Sequence, residues 1–243
     1  MAPPDESKPA PLSVMCARAL TAVANAISSK FNELTGHDVD LTLGTVGALQ
    51  ARIDAGEIAD VVILSTSAIG RLEMAGTLSA GTRRVIGGTG IALAVRSGAP
   101  EPDISTVDAF KATLLGARSV AVSSPAVGGS AGVYLAALFE RMGIAESLEK
   151  KCLRQQSGGD VARSVADGSA ELGLTQLSEM LPVKGITVVG SLPDLIANDT
   201  VYCAAVRSGC ERLELSTAFI GEFSSPEARA LLTATGFRLP PLR

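Results

Sequence analysis

Aromatic side chains and histidine are scarce in this sequence. Its 243 residues include six Phe, two Tyr, one His and no Trp. The core must therefore be built mainly from aliphatic side chains, and a composition that is 47% hydrophobic and 19% charged is typical of a folded globular chain. The four cysteines form no Cys-x-x-Cys pair, and with a single histidine they leave no zinc motif. We expect neither a bound metal nor a cofactor.

An excess of positive charge is also missing. Lys and Arg total 21 against 25 Asp and Glu, so the net charge is −4. Nucleic-acid binding needs a basic surface, and we expect no nucleic-acid partner. No apolar run reaches the roughly 18 residues of a membrane-spanning helix, so no membrane insertion is expected. The expected partner is a small anionic ligand, because local backbone amides bind an anion whatever the net charge.

The N-terminal segment lacks the apolar stretch of a secretory signal. Residues 1–11 are polar and proline-rich, and we predict that they are disordered. If the sequence is complete, this pattern predicts a cytoplasmic protein. If a signal peptide was removed, it predicts a periplasmic one.

Short aliphatic runs alternate with helical patterns along the chain. This rhythm predicts an α/β fold in which right-handed crossovers build mainly parallel sheets flanked by helices. The predicted strands are 12–15, 39–43, 60–64, 91–95, 119–122, 171–175, 187–189 and 200–206. The predicted helices are 20–34, 47–55, 68–75, 107–115, 131–142, 160–166, 213–223 and 226–235.

The order of these elements predicts two lobes. The glycine-rich stretch 87–90 has the composition of a turn, and the strand that follows it would lead from one lobe into the other. Strand 200–206 would return to the first lobe, and the two backbone crossings would form a two-strand hinge. The predicted first lobe is discontinuous, with residues 12–88 and 196–243, and the predicted second lobe is the inserted segment 89–195.

Three strand-to-helix turns, at 16–19, 44–47 and 125–132, have the composition of anion-binding loops. In open α/β sheets, ligands bind at the carboxyl ends of strands, where helix N-termini present free amides. Gly128, Gly129 and Ser130 of the third turn would let the backbone approach a ligand, although each turn can also be a plain connection. The third turn matches neither a phosphate-binding P-loop nor a dinucleotide fingerprint.

Six segments resemble those of one protein family. They are LSVMCARALT (12–21), TGHDVDLTLGTVGAL (35–49), AGEIADVVILS (55–65), SPAVGGSAGVYL (124–135), GDVARSVADGSAELGLT (159–175) and PEARALLTATGF (226–237). In this order they resemble the molybdate-type periplasmic solute-binding proteins, and the third segment is the most specific. The resemblance covers residues 12–237 and implies a two-lobed type II fold that closes around an anion. It implies an ABC transporter permease as partner only if the protein is exported.

The resemblance also assigns the ligand pocket position by position. Ala19 and Val46 stand where the family has serine donors to the oxyanion, and Gln176 stands where it has a tyrosine hydroxyl. Two backbone donors fall on Ala131 and Val161. Because the side-chain donors to a tetrahedral oxyanion are altered, we expect an organic carboxylate, which suits the planar fork of an arginine. The predicted ligand-binding residues are Arg18, Ala19, Thr45, Val46, Gly129, Ser130, Ala131, Val161 and Gln176.

Two main functions remain open. We favour a binding protein for a small carboxylate. The alternative is a cytoplasmic isomerase or lyase of an unsaturated carboxylic acid, since the resemblance extends to isomerases similar to aconitate isomerase. Its candidate proton-transfer residues are Glu179, Cys16 and Asp160. Each has another interpretation: Glu179 can be a solvated surface residue, Cys16 can pack under the loop, and Asp160 can cap a helix. His37 is expected to lie outside the site, which leaves no Ser-His-Asp triad. A third function, a ligand-sensing regulator, would need a DNA-binding partner.

Overall fold

The computed structural model describes residues 10–241. Its strands are β1 (Leu12–Ala17), β2 (Val39–Gly44), β3 (Val61–Ser65), β4 (Arg84–Arg96), β5 (Val120–Ser123), β6 (Cys152–Gln155), β7 (Leu172–Gln176), β8 (Ile186–Ser191) and β9 (Asp199–Val206). Its helices are α1 (Thr21–Thr35), α2 (Val46–Asp54), α3 (Thr66–Met74), α4 (Val107–Gly116), α5 (Ser130–Arg141), α6 (Ala145–Glu149), α7 (Gly158–Ala166), α8 (Leu177–Met180), α9 (Leu213–Glu222) and α10 (Pro226–Ala234).

All of the predicted strands and helices are present, and one further strand and two further α-helices were not predicted. These are β6, α6 and α8. β6 pairs only with β5 at the edge of the sheet, and its Cys-Leu-Arg-Gln sequence is not the aliphatic run that marks a buried strand. Helices α6 and α8 have five and four residues, which is too short for a helical pattern to show.

Of the segment predicted to be disordered, residues 1–9 lie outside the described residues. Ala10 and Pro11 lead into β1, and their carbonyl oxygens accept hydrogen bonds from the Arg212 guanidinium at 2.8 and 3.0 Å. The last two residues of the chain are also outside the described part.

The strands form a continuous sheet in the order β2-β1-β3-β9-β4-β7-β5-β6, and β8 also pairs with β4. Parallel pairing is confined to its two wings, where β1 joins β2 and β3, and β5 joins β6 and β7. Between the wings, β9 is antiparallel to β3 and β4, and β4 is antiparallel to β7 and β8. The predicted parallel sheets are therefore present, joined by antiparallel strands.

The glycine-rich stretch 87–90 is not the predicted turn but the middle of β4, which has 13 residues. Its first half pairs with β9 and its second half with β7 and β8. Glycine is needed there because other chain segments lie close to the strand. A Cβ on Gly87 would come 3.0 Å from the Arg238 carbonyl oxygen, and one on Gly90 would come 2.8 Å from Asp199 Oδ1.

Two large hydrophobic clusters lie on either side of this central pairing. One is built from residues of β1, β3, β9 and helices α1, α3, α9 and α10, and we refer to this half as the first lobe. The other is built from residues of β5, β7, the second half of β4 and helices α4 and α5, and we refer to it as the second lobe. The lobe boundaries at 88/89 and 195/196 stay a prediction. Among residues 10–241, no helix is both long and apolar enough to cross a membrane.

Candidate functional site

A narrow cleft separates the carboxyl ends of β1 and β2 from the first turns of α5 and α7. A cavity of about 30 Å³ lies in this cleft. Eight of the nine predicted ligand-binding residues line it, namely Arg18, Ala19, Thr45, Val46, Gly129, Ser130, Ala131 and Gln176. Glu179 also lines it, and so do five residues that the sequence did not indicate, namely Ala17, Ser123, Ser157, Gly158 and Tyr202.

Val161 is the predicted ligand residue that does not reach the cavity. Its side chain is fully buried in a small cluster with Ala121 and Val165. Its amide, which the resemblance assigned to the ligand, donates to the Ser157 carbonyl oxygen at 3.1 Å. The reason is that α7 begins at Gly158, two residues before the predicted start, so the amide of Val161 makes the first hydrogen bond within the helix.

Helix α5 begins at the cavity wall with free amides. Gly129 is its N-cap residue, and the amide of Val133 makes the first helical hydrogen bond, to the Gly129 carbonyl oxygen at 3.0 Å. The amides of Ser130 and Ala131 precede that bond, so they remain available to an anion. Gly132 lets the helix start this close to β5, because a Cβ there would lie 2.5 Å from the Ser123 carbonyl oxygen.

The two lobes are in direct contact beside the cavity. The amide of Gly47 donates to the Gly128 carbonyl oxygen at 2.9 Å, and the Thr45 hydroxyl donates to the Val127 carbonyl oxygen. Thr45 also caps α2 by accepting a hydrogen bond from the Ala48 amide at 3.2 Å. Its hydroxyl is therefore used within the protein, and it does not serve as the free ligand donor that the sequence suggested.

Glu179 supplies the carboxyl group in the cavity wall. It is therefore not the solvated surface residue that the sequence analysis gave as the alternative to a catalytic role. Its Oε1 accepts a hydrogen bond from the Gly158 amide at 3.2 Å, and its Oε2 accepts one from the Thr175 hydroxyl at 3.4 Å. Burial raises the pKa of this carboxyl group above its usual value, although both hydrogen bonds and the Arg18 charge oppose the rise. Gly158 makes the contact possible, since a Cβ there would lie 2.3 Å from Glu179 Oε2.

Arg18 supplies an uncommitted positive charge next to Glu179. It lies in the 3₁₀ turn Arg18–Leu20 that follows β1, and its side chain lines the cavity. Among residues 10–241, no carboxylate lies within ion-pair distance of its guanidinium, which makes no side-chain hydrogen bond. An arginine in this condition is suited to a carboxylate brought by a ligand.

Tyr202 and Gln176 join the lobes at the floor of the cavity. The Tyr202 hydroxyl, from β9, donates to Gln176 Oε1 at 2.8 Å, at the end of β7. Both side chains are buried, and Gln176 Nε2 has no partner among the described residues. The hydrogen bond thus fixes the amide with its two N–H groups free for an anion. Tyr202 was missed by the sequence analysis, although it is one of only two tyrosines and lies on the strand predicted to return to the first lobe.

Cys16 and Asp160 do not line the cavity. Cys16 is fully buried in the first lobe, and burial raises the pKa of its thiol to about 12, so it is not a base at neutral pH. Asp160 accepts a hydrogen bond from the Ser157 hydroxyl at 2.6 Å and pairs with Arg163 at 2.5 Å. The Ser157 hydrogen bond and the Arg163 charge lower the pKa of Asp160. The capping residue of α7 is Ser157, and Asp160 completes its first turn.

His37 lies at the other end of the first lobe, in the turn before β2, as expected. Among residues 10–241, no group of three or more His, Cys, Asp or Glu side chains is placed to hold a metal ion. The donors that surround the cavity are a guanidinium, an amide side chain, serine hydroxyl groups and backbone N–H groups, which favour an anion over a cation.

An α/β chain of two lobes with a cavity between them whose polar groups favour an anion has the architecture of a solute-binding protein. The sequence profile described as "Bacterial extracellular solute-binding protein" matches residues 12–238, and the chain belongs to this family. The chain is 35% identical over 236 residues to aconitate isomerase of a Pseudomonas species, covering 95% of this chain and 88% of that protein. It is 24% identical over 242 residues to the molybdate-binding protein ModA of Escherichia coli K12, and the match covers 97% of this chain and 90% of that protein.

The solved structures agree on the fold. The periplasmic molybdate-binding protein of Azotobacter vinelandii superposes with a TM-score of 0.77 at 20% identity, covering 95% of this chain and 100% of that one. The predicted two-lobed type II fold is therefore confirmed, and so is the resemblance to the molybdate-type proteins.

Gly47→Ala tests whether the contact between the lobes depends on the absence of a side chain. A Cβ on Gly47 would come 2.8 Å from Gly128 Cα, so we expect the lobes to separate and the radius of gyration in small-angle X-ray scattering to increase. Alanine favours a helix over glycine by about 0.5–1 kcal/mol, but losing the Gly47–Gly128 hydrogen bond costs about as much. The expected free energy of unfolding is therefore nearly unchanged.

Gly70→Ala is the matched control. Gly70 lies in α3 of the same lobe, and a Cβ there meets no atom within 4 Å. The Gly70→Ala substitution should add about 0.5–1 kcal/mol to the free energy of unfolding and leave the radius of gyration unchanged. If the two variants scatter alike, the glycine contact does not hold the lobes together.

Proposed function

We propose that this protein binds a small unsaturated polycarboxylate in the interlobe cavity and isomerises it by moving one proton along the carbon chain. The observation that carries the proposal is the Glu179 carboxyl group in the wall of a cavity whose other polar groups suit an anion. The similarity to an aconitate isomerase supports the same reaction class.

The donor set supports a carboxylate ligand over a tetrahedral metal oxyanion. Ala19 and Val46 offer no hydroxyl groups, and the Thr45 hydroxyl is engaged by Val127. What remains is the planar guanidinium of Arg18, the free amide N–H groups of Gln176, the first amides of α5 and the hydroxyl groups of Ser123 and Ser130. Only the guanidinium among these donors has a planar, charged shape that discriminates between the two kinds of anion. A guanidinium and a carboxylate match in shape and form two parallel hydrogen bonds.

Glu179 supports catalysis over binding alone. An ionised carboxylate in the wall of an anion site repels the ligand, so a protein selected only for affinity has no use for it. A carboxyl group whose pKa is raised by burial is, however, suited to accept and return a proton. Its hydrogen bonds to Gly158 and Thr175 hold it beside the cavity.

The reaction balances with this one acid–base group. The Glu179 carboxylate accepts a proton from the carbon between a carboxylate and the double bond, and the electron pair of the C–H bond spreads over the carbon chain and that carboxylate. Arg18, the Gln176 amide and the α5 amides stabilise the negative charge that develops on the oxygens. Protonated Glu179 then returns the proton at the other end of the three-carbon system. The double bond moves, and no atom or electron is gained or lost.

Binding without conversion is the second candidate function, supported by membership of a solute-binding family and by the similarity to ModA. In that case the ligand would be released unchanged to an ABC transporter permease, and the location would be periplasmic. Proton NMR of aconitate incubated with the protein separates the two functions. Appearance of the other geometrical isomer supports catalysis, and a stable spectrum together with saturable binding supports a receptor.

Glu179→Gln should abolish conversion while leaving the cavity intact. We expect the isomerisation rate to fall by about 10²–10⁴, the usual contribution of a general base, while the affinity for aconitate stays equal or increases. Glu214→Gln, on an exposed residue in the first turn of α9, is the control and should retain full activity. An active Glu179→Gln protein would assign the proton transfer elsewhere.

The pH dependence has a defined sign. The base must be ionised, so the rate should rise as the pH increases through the raised pKa of Glu179. The same shift means that the folded state loses stability over that pH range, because ionising a buried carboxyl is unfavourable. Glu179→Gln should therefore melt at a higher temperature than the parent protein at pH 8, and the difference should vanish near pH 4. Thermal unfolding at both pH values checks this.

Arg18→Gln should weaken the binding of aconitate roughly 10- to 100-fold, since a hydrogen-bonded charge contributes about 1.5–3 kcal/mol. Isothermal titration calorimetry measures the change. Arg84→Gln is the control, because the Arg84 guanidinium is exposed and, within residues 10–241, bonds only to the carbonyl oxygens of Gly81 and Arg83. Equal affinities of the Arg18 and Arg84 variants would remove Arg18 from the site.

A further inference from the structure

The cavity between the lobes is too small for a polycarboxylate. Pockets for small ligands usually measure about 300–1,000 Å³, whereas this cavity measures about 30 Å³. A ligand with several carboxylates must therefore extend beyond it. Two larger pockets adjoin the cavity, and their walls decide which of them the ligand enters.

The wider of these pockets, of about 840 Å³, shares only Val46 and Ser130 with the cavity. Its two cations are already engaged within the protein. Arg71 donates to Gln50 Oε1 at 2.5 Å, and Arg83 pairs with Glu73 at 3.3 Å. Arg71 keeps its net charge, because Gln50 is neutral, but neither Arg18 nor Glu179 lines this pocket, so a carboxylate bound there would draw the ligand away from the proposed base.

The other pocket, of about 300 Å³, has the opposite character. It shares four wall residues with the cavity, among them Arg18 and Glu179. A ligand that passes Arg18 therefore enters it without leaving the reach of the proposed base. Arg18 has no acceptor within the described part of the chain, so its guanidinium can serve carboxylates on both of its sides.

Three further groups of this pocket suit a carboxylate. The hydroxyl of Ser178 is buried and has no hydrogen-bond partner among residues 10–241. Arg163 is largely exposed on α7, and its pairing with Asp160 still leaves donors of its guanidinium free. Gly159 lies in the first turn of α7, where its amide precedes the first helical hydrogen bond, made by Val161.

We infer that this pocket, formed by Arg18, Gly159, Arg163 and Ser178 and here called the outer subsite, binds a second carboxylate of the substrate. The inference rests on the proposed function and assigns a place to the second carboxylate of its substrate. The substrate is an unsaturated di- or tricarboxylate with one carboxylate in the cavity and another in the outer subsite. Arg18 lies between the two carboxylates, and the carbon that exchanges the proton lies beside Glu179.

The unpartnered hydroxyl of Ser178 is the strongest part of this assignment. A buried hydroxyl without a hydrogen bond is unfavourable, and a carboxylate oxygen in the outer subsite would satisfy it. Ser178 immediately precedes Glu179 on α8, so the two residues share one turn of helix. The same turn thus contributes the proposed base to the wall of the cavity and Ser178 to the wall of the neighbouring pocket.

Calorimetric titrations with two probes test the inference. Crotonate is an unsaturated monocarboxylate, which can occupy only one of the two proposed carboxylate positions, and aconitate is an unsaturated tricarboxylate, which would occupy both. For Ser178→Ala and for Arg163→Gln we expect the affinity for aconitate to fall about 10-fold while the affinity for crotonate stays unchanged. Arg118→Gln is the matched control, because Arg118 is also an exposed arginine paired with a carboxylate, at 3.1 Å from Glu171, but lies away from the cleft.

The Ser178→Ala variant also shows whether misfolding could explain a loss of affinity for aconitate. The change removes a buried hydroxyl that has no partner, so thermal unfolding should show no loss of stability. Equal losses of affinity for both probes, or no loss for either, would overturn the outer subsite. If these variants still isomerise aconitate with parental KM, the outer subsite fails and the proposed function stands. If the parent protein binds neither probe, the proposed function itself fails.

Discussion

The pairing of β4 with β9 is the constraint on which the cleft depends. β4 runs without a break from the first lobe into the second, and β9 pairs along its first half, from Arg84 and Ala204 to Gly90 and Asp199. This continuity fixes where the strand ends of the two lobes meet. It is also why a tyrosine on β9 can hydrogen-bond to a glutamine at the end of β7. The glycines of β4 serve the same pairing, since they leave room for the chain around Arg238, which hydrogen-bonds to Gly88.

Within the cleft, groups with opposite preferences share one small space. Arg18, Gln176 and the α5 amides favour an anion, whereas an ionised Glu179 opposes it. Two like charges 4 Å apart repel by about 4 kcal/mol at an effective dielectric constant of 20. An anionic ligand therefore favours the protonated form of Glu179, and Arg18 offsets this by favouring the ionised form. The state of the proton on Glu179 and the position of the ligand charge are thus coupled.

Much of the fold could be predicted from the sequence, because aliphatic runs and helix caps report local structure directly. The order of these elements indicated two lobes, and the family resemblance implied the type II fold. Eight of the nine residues predicted to bind the ligand line the cavity, because the resemblance and the strand-to-helix turns both point to that edge of the sheet. What could not be predicted depends on distant parts of the chain. The start of α7 moved the free amides away from Val161, and the hydroxyl of Thr45 was taken by a carbonyl oxygen of the other lobe. Tyr202 reaches the cavity only through the sheet order, and glycines 87–90 lie in a strand because of neighbours far along the chain.

The contact between Gly47 and Gly128 has a kinetic consequence. It consists of protein atoms on both sides, so the closed arrangement of the lobes gains this stabilisation whether or not a ligand is bound. A ligand then contributes less of the free energy of closure, and its apparent affinity approaches its intrinsic affinity for the closed form. If the proposed isomerisation takes place in this cleft, entry and release both require the lobes to open, and the rate of opening sets an upper limit on turnover. A receptor that signals occupancy by its shape gains nothing from such a contact, whereas an enzyme gains a water-poor chamber that is assembled in advance.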